Sequence, residues 1–211
     1  MSARPGRGCV AVAAGERARQ GRRAAWAWVD VDTPLGPMRL AARDGAPPHA
    51  LGGAWFLDQR DLPAAGPDWR RDPGHPLLRR AAAELEDWFA GRCRRFTVRL
   101  APEGTEFQQA VWRALSAVGF GETVSYGELA RRAGRPRAVR AVAGAVGSNP
   151  ISLFIPCHRI VGSDGALTGF GGGLPRKRAL LALEGRHYGR ADPRARETGP
   201  GLFDPPFVRG R

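Results

Sequence analysis

Cys157 and His158 are adjacent in the stretch Pro156-Cys-His-Arg159, and no other pair in the chain is as well suited to covalent chemistry. A thiol becomes a strong nucleophile when a neighbouring base or positive charge favours the thiolate. This cysteine, between a proline and His-Arg and just after the apolar run Ser152 to Ile155, has both kinds of partner as neighbours. The plain alternative is an inert buried residue, since free cysteine packs as a small hydrophobe. Glu184 ends a helical pattern just before Gly185. A carboxylate there meets the negative end of the helix dipole and is unfavourable unless partnered. A surface salt bridge would satisfy it as well as a site would. Asn149-Pro150 is turn chemistry. Tyr126, following Ser125, suits a core as readily as a site.

Longer strings surround these residues. Asn149-Pro150 precedes Ile155-Pro-Cys-His-Arg-Ile-Val161, and Gly169-Phe-Gly171 and Leu180-Leu-Ala-Leu-Glu184-Gly185 follow it. Upstream stand Phe107-Gln-Gln-Ala-Val-Trp112 and Gly121-Glu-Thr-Val-Ser-Tyr126. In order and spacing, over residues 95–185, this set resembles the O6-alkylguanine-DNA alkyltransferases, also called methylated-DNA–protein-cysteine methyltransferases. The Pro-Cys-His-Arg core with its upstream Asn-Pro is highly specific. Residues 26–94 match only in outline, a hairpin followed by a helix.

The resemblance implies a DNA-repair protein that moves a methyl or larger alkyl group from O6 of guanine irreversibly to its own cysteine, once per molecule. Cys157 is then the acceptor, His158 draws off the thiol proton through a bound water, and Glu184 orients and charge-stabilises the imidazole. Asn149 braces the turn around the cysteine, and Tyr126 helps expel the base and donates a hydrogen bond to the departing guanine. Arg140 corresponds to the family's finger, which fills the gap left by the flipped nucleotide. Small residues around it, Ala138 and Ala141 among them, let the helix approach the minor groove. Ser125, Arg135 and Arg137 join that DNA-facing set, with Arg131 and Arg132 as further phosphate contacts. Tight helix packing and solvated charge are the ordinary alternatives for these residues.

Pro156, Ile160, Phe170 and Gly171 would wall the pocket, and the carbonyls of Cys157 and Ile160 would accept from the guanine amine. Two positions depart from the family. Phe170 stands where tyrosine is frequent, and Ser152 where some members have proline. The implied partner is double-stranded DNA carrying alkylated guanine, bound by a monomer without a cofactor. Cys9, His49, His75 and Cys93 lack metal-ligand spacing, so no metal is expected. The preferred lesion among methyl, longer alkyl and O4-alkylthymine stays open.

The elements that must hold these residues read as an α+β chain. Residues 26–101 form an α/β module. Its first strand begins at Trp26, Thr33-Pro-Leu-Gly36 makes a turn, and Met38 to Ala42 returns. Leu51 to Phe56 is a third strand, 57–75 a loop, Leu77 to Ala90 a helix capped near Gly91, and Arg95 to Leu100 a short strand. Residues 102–185 form a mostly helical domain. Thr105-Glu-Phe-Gln108 and Ser125-Tyr-Gly-Glu128 are capping boxes. The helix after Ser125 ends before Gly134, and Arg137 to Val146 is the next, which together make a helix-turn-helix pattern. Ser152 to Ile155 is a buried strand, and Pro175 opens a last helix running to Glu184.

Composition bounds the rest. The chain has 211 residues, 43% hydrophobic and 25% charged, which excludes collagen-like and wholly disordered chains. No apolar run is long enough for a membrane helix, so no membrane partner is expected. Three cysteines cannot build a disulfide framework; reduced thiols and a cytoplasmic location are expected. The net charge of +13 is almost wholly arginine, Lys177 being the single lysine. Residues 1–25, read as a disordered basic extension, carry +5 of it, and the tail 186–211 carries +3. The body is therefore only mildly basic, which permits DNA binding without demanding it. A lesion-binding protein that does not repair would lack the acceptor cysteine. A Cys-His thiol hydrolase would have no need of a helix-turn-helix.

Overall fold

Period-2 alternation at Trp26–Val31 (β1) and Met38–Arg43 (β2), joined across the Thr33–Gly36 turn, yields an antiparallel hairpin. Ala50–Phe56 (β3) adds to β2 and is buried throughout. The computed structural model describes residues 26–43 and 50–186. The expectations for 1–25 and 187–211, and for Cys9 and His49, lie outside the described residues.

The sheet has a fourth strand inside the stretch read as loop. Trp69–Arg71 (β4) pairs parallel with β1, giving the order β3-β2-β1-β4. Three residues are too few for periodicity to register. Their anchor is tertiary, with Trp69 stacked on Trp26 at 5.0 Å between ring centroids. Leu77, Leu78, Ala81, Leu85 and Trp88 recur at helical spacing, and Pro76–Phe89 (α1) buries that face on the sheet.

The strand expected at Arg95–Leu100 does not form. The amides of Thr97 and Val98 donate to the Glu84 carboxylate of α1, at 2.6 and 3.2 Å, so they are lost to any ladder. One bridge survives, between Leu51 and Leu100.

In the second half, Glu106–Ser116 (α2) begins with a complete capping box. Gln108 N donates to Thr105 Oγ1 at 3.2 Å, and Thr105 N donates to Gln108 Oε1 at 2.9 Å. Its apolar face carries Trp112, whose indole donates to Ala145 O at 2.7 Å and fixes α2 against Val139–Gly147 (α4). Tyr126–Arg132 (α3) has half of the expected box. Ser125 Oγ accepts from Glu128 N, but the Glu128 carboxylate turns to Arg131 and Arg132 instead. α4 starts at Val139 rather than Arg137, because the Arg135–Ala138 turn, closed by a 2.9 Å hydrogen bond, holds the intervening residues.

The strand expected at Ser152–Ile155 is instead a turn. Leu153 has φ 71°, and the Ile155 amide bonds back to Ile151 O at 2.9 Å. This turn caps the open edge of β3, with Ala54 N donating to Pro150 O and Ser152 N to Ala54 O. A single 3-10 turn, Cys157–Arg159, leads into Ile160–Val161 (β6), which pairs parallel with Val124–Ser125 (β5). Leu174–Leu183 (α5) closes the fold, with Glu184 as its C-cap.

Candidate active site

Asn149 explains why the chain turns where it does. Its Nδ2 donates to Ile155 O at 2.8 Å and its Oδ1 accepts from Ile151 N at 3.1 Å, so one buried amide fastens both ends of the turn before Pro156. The side chain also hydrogen-bonds the Cys157 thiol. That thiol is buried, and burial pushes its pKa up. The Asn149 bond, the Lys177 charge and the amides of Cys157 and His158 partly oppose the rise. The resting group is therefore a thiol that needs a base.

His158 is fully buried beside it. Its Nε2 lies 3.1 Å from Glu184 Oε1. Burial pushes the imidazole pKa down, against the pull of Glu184, so the ring is neutral near pH 7. A neutral ring with Nε2–H donating to the carboxylate leaves the lone pair on Nδ1, which has no protein partner. The Trp88 ring meets the His158 ring edge-on at 6.2 Å, which brings α1 to the back of the imidazole.

Glu184 resolves its unfavourable place at the end of α5 through three residues, two in the 3-10 turn and one in the loop before β5. It accepts from His158, from Arg159 Nε and Nη2 (3.0 and 2.7 Å), and from Gly121 N at 3.1 Å. Burial alone would raise its pKa, but the hydrogen bonds from His158 and Arg159, with the Arg159 charge, reverse this and hold it at about 2. Gly121 is required as glycine. It has φ +72°, and an added Cβ would lie 3.0 Å from Glu184 O.

Lys177 was not singled out for chemistry by its sequence. Its stem is wholly buried, and its ammonium donates to the carbonyls of Ile160, Thr168 and Gly169, clasping the glycine loop to β6. Burial lowers its pKa to about 8. The Ile160 carbonyl expected to meet guanine is thus already engaged, and one lone pair remains for a second donor. Its only sequence signal was to be the sole lysine among arginines.

Tyr126 begins α3, directly after β5 pairs with β6. Its hydroxyl bonds the Thr168 side chain and sits close over Gly169, where a Cβ would lie 3.3 Å away. Burial raises the pKa of this phenol, so it remains a donor. Pro156 and Ile160 are buried, Phe170 is half-buried and Gly171 is exposed. Arg135, Arg137, Arg140 and Ala141 lie on the exposed side of the α3–α4 turn and of α4, with Ala138 half-buried and Ser125 capping α3. Arg131 and Arg132 pair with Glu128 and Glu122. Arg135, Arg137 and Arg140 make no ion pair among the described residues.

A buried thiol, a neutral imidazole and an ionised carboxylate on an α+β scaffold are the groups with which a protein can activate a cysteine as a nucleophile. Residues 106–186 match the family described as 6-O-methylguanine DNA methyltransferase, DNA binding domain. The chain is 48% identical over 146 residues to a methylated-DNA–protein-cysteine methyltransferase of Haemophilus influenzae, covering 69% of this chain and 80% of that protein. The Mycolicibacterium paratuberculosis protein of the same name is 45% identical over 157 residues, covering 74% of this chain and 91% of its own. The solved structure of Mycobacterium tuberculosis OGT in complex with DNA aligns with a TM-score of 0.66 at 42% identity, covering 76% of this chain and 92% of that one. The chain belongs to the methylated-DNA–protein-cysteine methyltransferase family.

Proposed function

We propose that the protein repairs O6-alkylguanine in duplex DNA by accepting the alkyl group on Cys157. The observation that carries this reading is the buried His158–Glu184 pair next to the buried Cys157 thiol, with His158 Nδ1 left without a protein partner. His158 Nδ1 receives the thiol proton through an intervening water, and Glu184 stabilises the imidazolium that results. The sulfur attacks the alkyl carbon; the S–C bond forms as the C–O6 bond breaks, and the electron pair returns to the guanine ring. Tyr126 donates a hydrogen bond to the departing guanine anion, which takes up one proton from solvent as the His158 imidazolium returns one to solvent, so guanine leaves neutral and the imidazole is restored.

The helical elements over residues 102–185 act as the alkyltransferase domain, and those over 26–101 as the module that braces it. The α3–α4 pair serves as a helix-turn-helix laid in the minor groove, with Arg140 replacing the flipped base. Added Cβ atoms at the exposed Gly144 and Gly147 would meet nothing within 4 Å, which favours an approaching partner over internal packing as the reason for small residues there. One protein molecule acts per lesion. The deciding experiment mixes the protein with duplex DNA carrying labelled O6-methylguanine and maps the label. Label on the peptide holding Cys157 supports the reading, and an unlabelled protein that binds the duplex would point to lesion binding without repair.

A further inference from the structure

The glycine loop between β6 and α5 is held from outside by the first half of the chain. Arg176, in the first turn of α5, spreads its guanidinium over three segments. Nε donates to Leu35 O in the β1–β2 turn at 2.7 Å, Nη1 to Gly172 O in the loop at 3.0 Å, and Nη2 to Asp58 Oδ2 beyond β3 at 2.9 Å. The same group lies 4.4 Å over the ring of Phe56, the last residue of β3. Phe56 is fully buried and backs the loop. A Cβ on Gly172 would fall 2.8 Å from both the Phe56 and the Phe170 rings. Gln59 lies behind Gly171, 3.6 Å from where a Cβ there would stand.

From this arrangement we propose that Arg176 is a specificity-determining positioning residue. It staples the Gly169–Gly173 loop to the N-terminal sheet and so limits the size of the alkyl group the pocket accepts. The inference rests on the reading above, in which Phe170 and Gly171 wall that pocket. Transfer of a methyl group asks nothing of the loop beyond its resting position. An aromatic alkyl group needs the wall to yield, and the wall cannot yield without breaking charge-assisted hydrogen bonds to Arg176 or uncovering Phe56. A planar five-donor fork suits a junction of two carbonyls and a carboxylate, and lysine has no such geometry.

The test compares wild type with Arg176→Leu, Arg176→Lys and Asp58→Asn in single-turnover transfer from two duplexes of one sequence, carrying O6-methylguanine or O6-benzylguanine. Removing the staple lets the loop open and also loosens its resting position, and both changes move the benzyl-to-methyl rate ratio upward. Arg176→Leu should raise the ratio by roughly tenfold, the scale of a change of one or two hydrogen bonds in a barrier. Asp58→Asn, at a largely exposed side chain, should raise it less, and Arg176→Lys should fall between wild type and Arg176→Leu. Because Asp58→Asn leaves the loop and α5 untouched, it decides the matter even if Arg176→Leu folds poorly. Equal losses on both substrates, or an unchanged ratio in Arg176→Leu and Asp58→Asn, overturn the proposal while leaving the transfer reading intact. Failure of the wild-type protein to transfer either group to Cys157 overturns that reading and the staple together.

Discussion

At Glu184 electrostatics and stability meet, and the proposed catalysis can be tested with them. A carboxyl held at about 2 in the folded protein and near 4.5 otherwise contributes stability that is fully present above pH 4.5. That contribution is lost as pH falls from 4.5 towards 2. His158, depressed by burial, acts in the same direction, since acid must force a proton onto a ring the fold keeps neutral. The shift at Glu184 corresponds to roughly 3 kcal/mol at ~1.4 kcal/mol per pH unit. Chemical denaturation from pH 6 to 3 should therefore reveal a steep loss of stability, and Glu184→Gln should be less stable at pH 6 with a flatter slope. A parallel slope in the variant would remove Glu184 from this role. The same variant should slow transfer to Cys157 on the order of 10²-fold, the usual worth of a supported base. Because burial holds the His158 pKa below its ordinary 6.5, the transfer rate should fall to half its maximum only below pH 6.5. A half-maximal rate above pH 6.5 would contradict a buried neutral imidazole.

At the scale of elements, α4 is where the proposed DNA contact can be tested apart from the chemistry. Its buried residues Val142, Ala145 and Val146 face the core, and its exposed side carries Arg140, Ala141, Gly144 and Gly147. Arg140→Ala should slow repair in duplex DNA far more than transfer from free O6-benzylguanine, which needs no flipping. Equal losses on both would sink the finger assignment. Gly144→Leu gives a complementary test. Open space surrounds this Cβ position, and a glycine inside a helix costs ~1 kcal/mol against a better helix former. The variant should thus melt no lower than wild type while binding duplex DNA more weakly. Unchanged affinity would show that nothing approaches this face.

For the whole molecule the consequence is stoichiometric. A thioether on sulfur is inert to water and to thiol exchange, and Cys93, the other described cysteine, donates to Glu84 O on a different part of the fold. Excess methylated duplex should give a burst of one methyl group per protein and no more, counted by mass spectrometry. Continued turnover would require a route to regenerate the thiol and would overturn the single-use mechanism. The charge of the molecule is separable from this chemistry. Residues 1–25 carry +5 of the net +13, so their removal should weaken DNA binding at low salt and leave transfer from the free base unchanged.

Much of this protein is legible in its sequence because the signals are local. The helices α1, α2 and α5 follow from apolar spacing, a capping box and a proline at the first turn, all set by neighbours within a few residues. Cys157, His158 and Glu184 are readable as a set because their spacing matches a known motif. What the tertiary structure alone decides are contacts made across long stretches of chain. β4 exists because Trp69 finds Trp26. The strand pattern at 95–100 fails because Glu84 takes its amides. Lys177 gains its role from three carbonyls, and Arg176 gains its own from residues more than a hundred positions away. Periodicity records which face of an element is buried. It does not record which distant group satisfies a given donor, and in this fold those donors hold the Gly169–Gly173 loop, the edge of β3 and the Glu184 carboxylate in place.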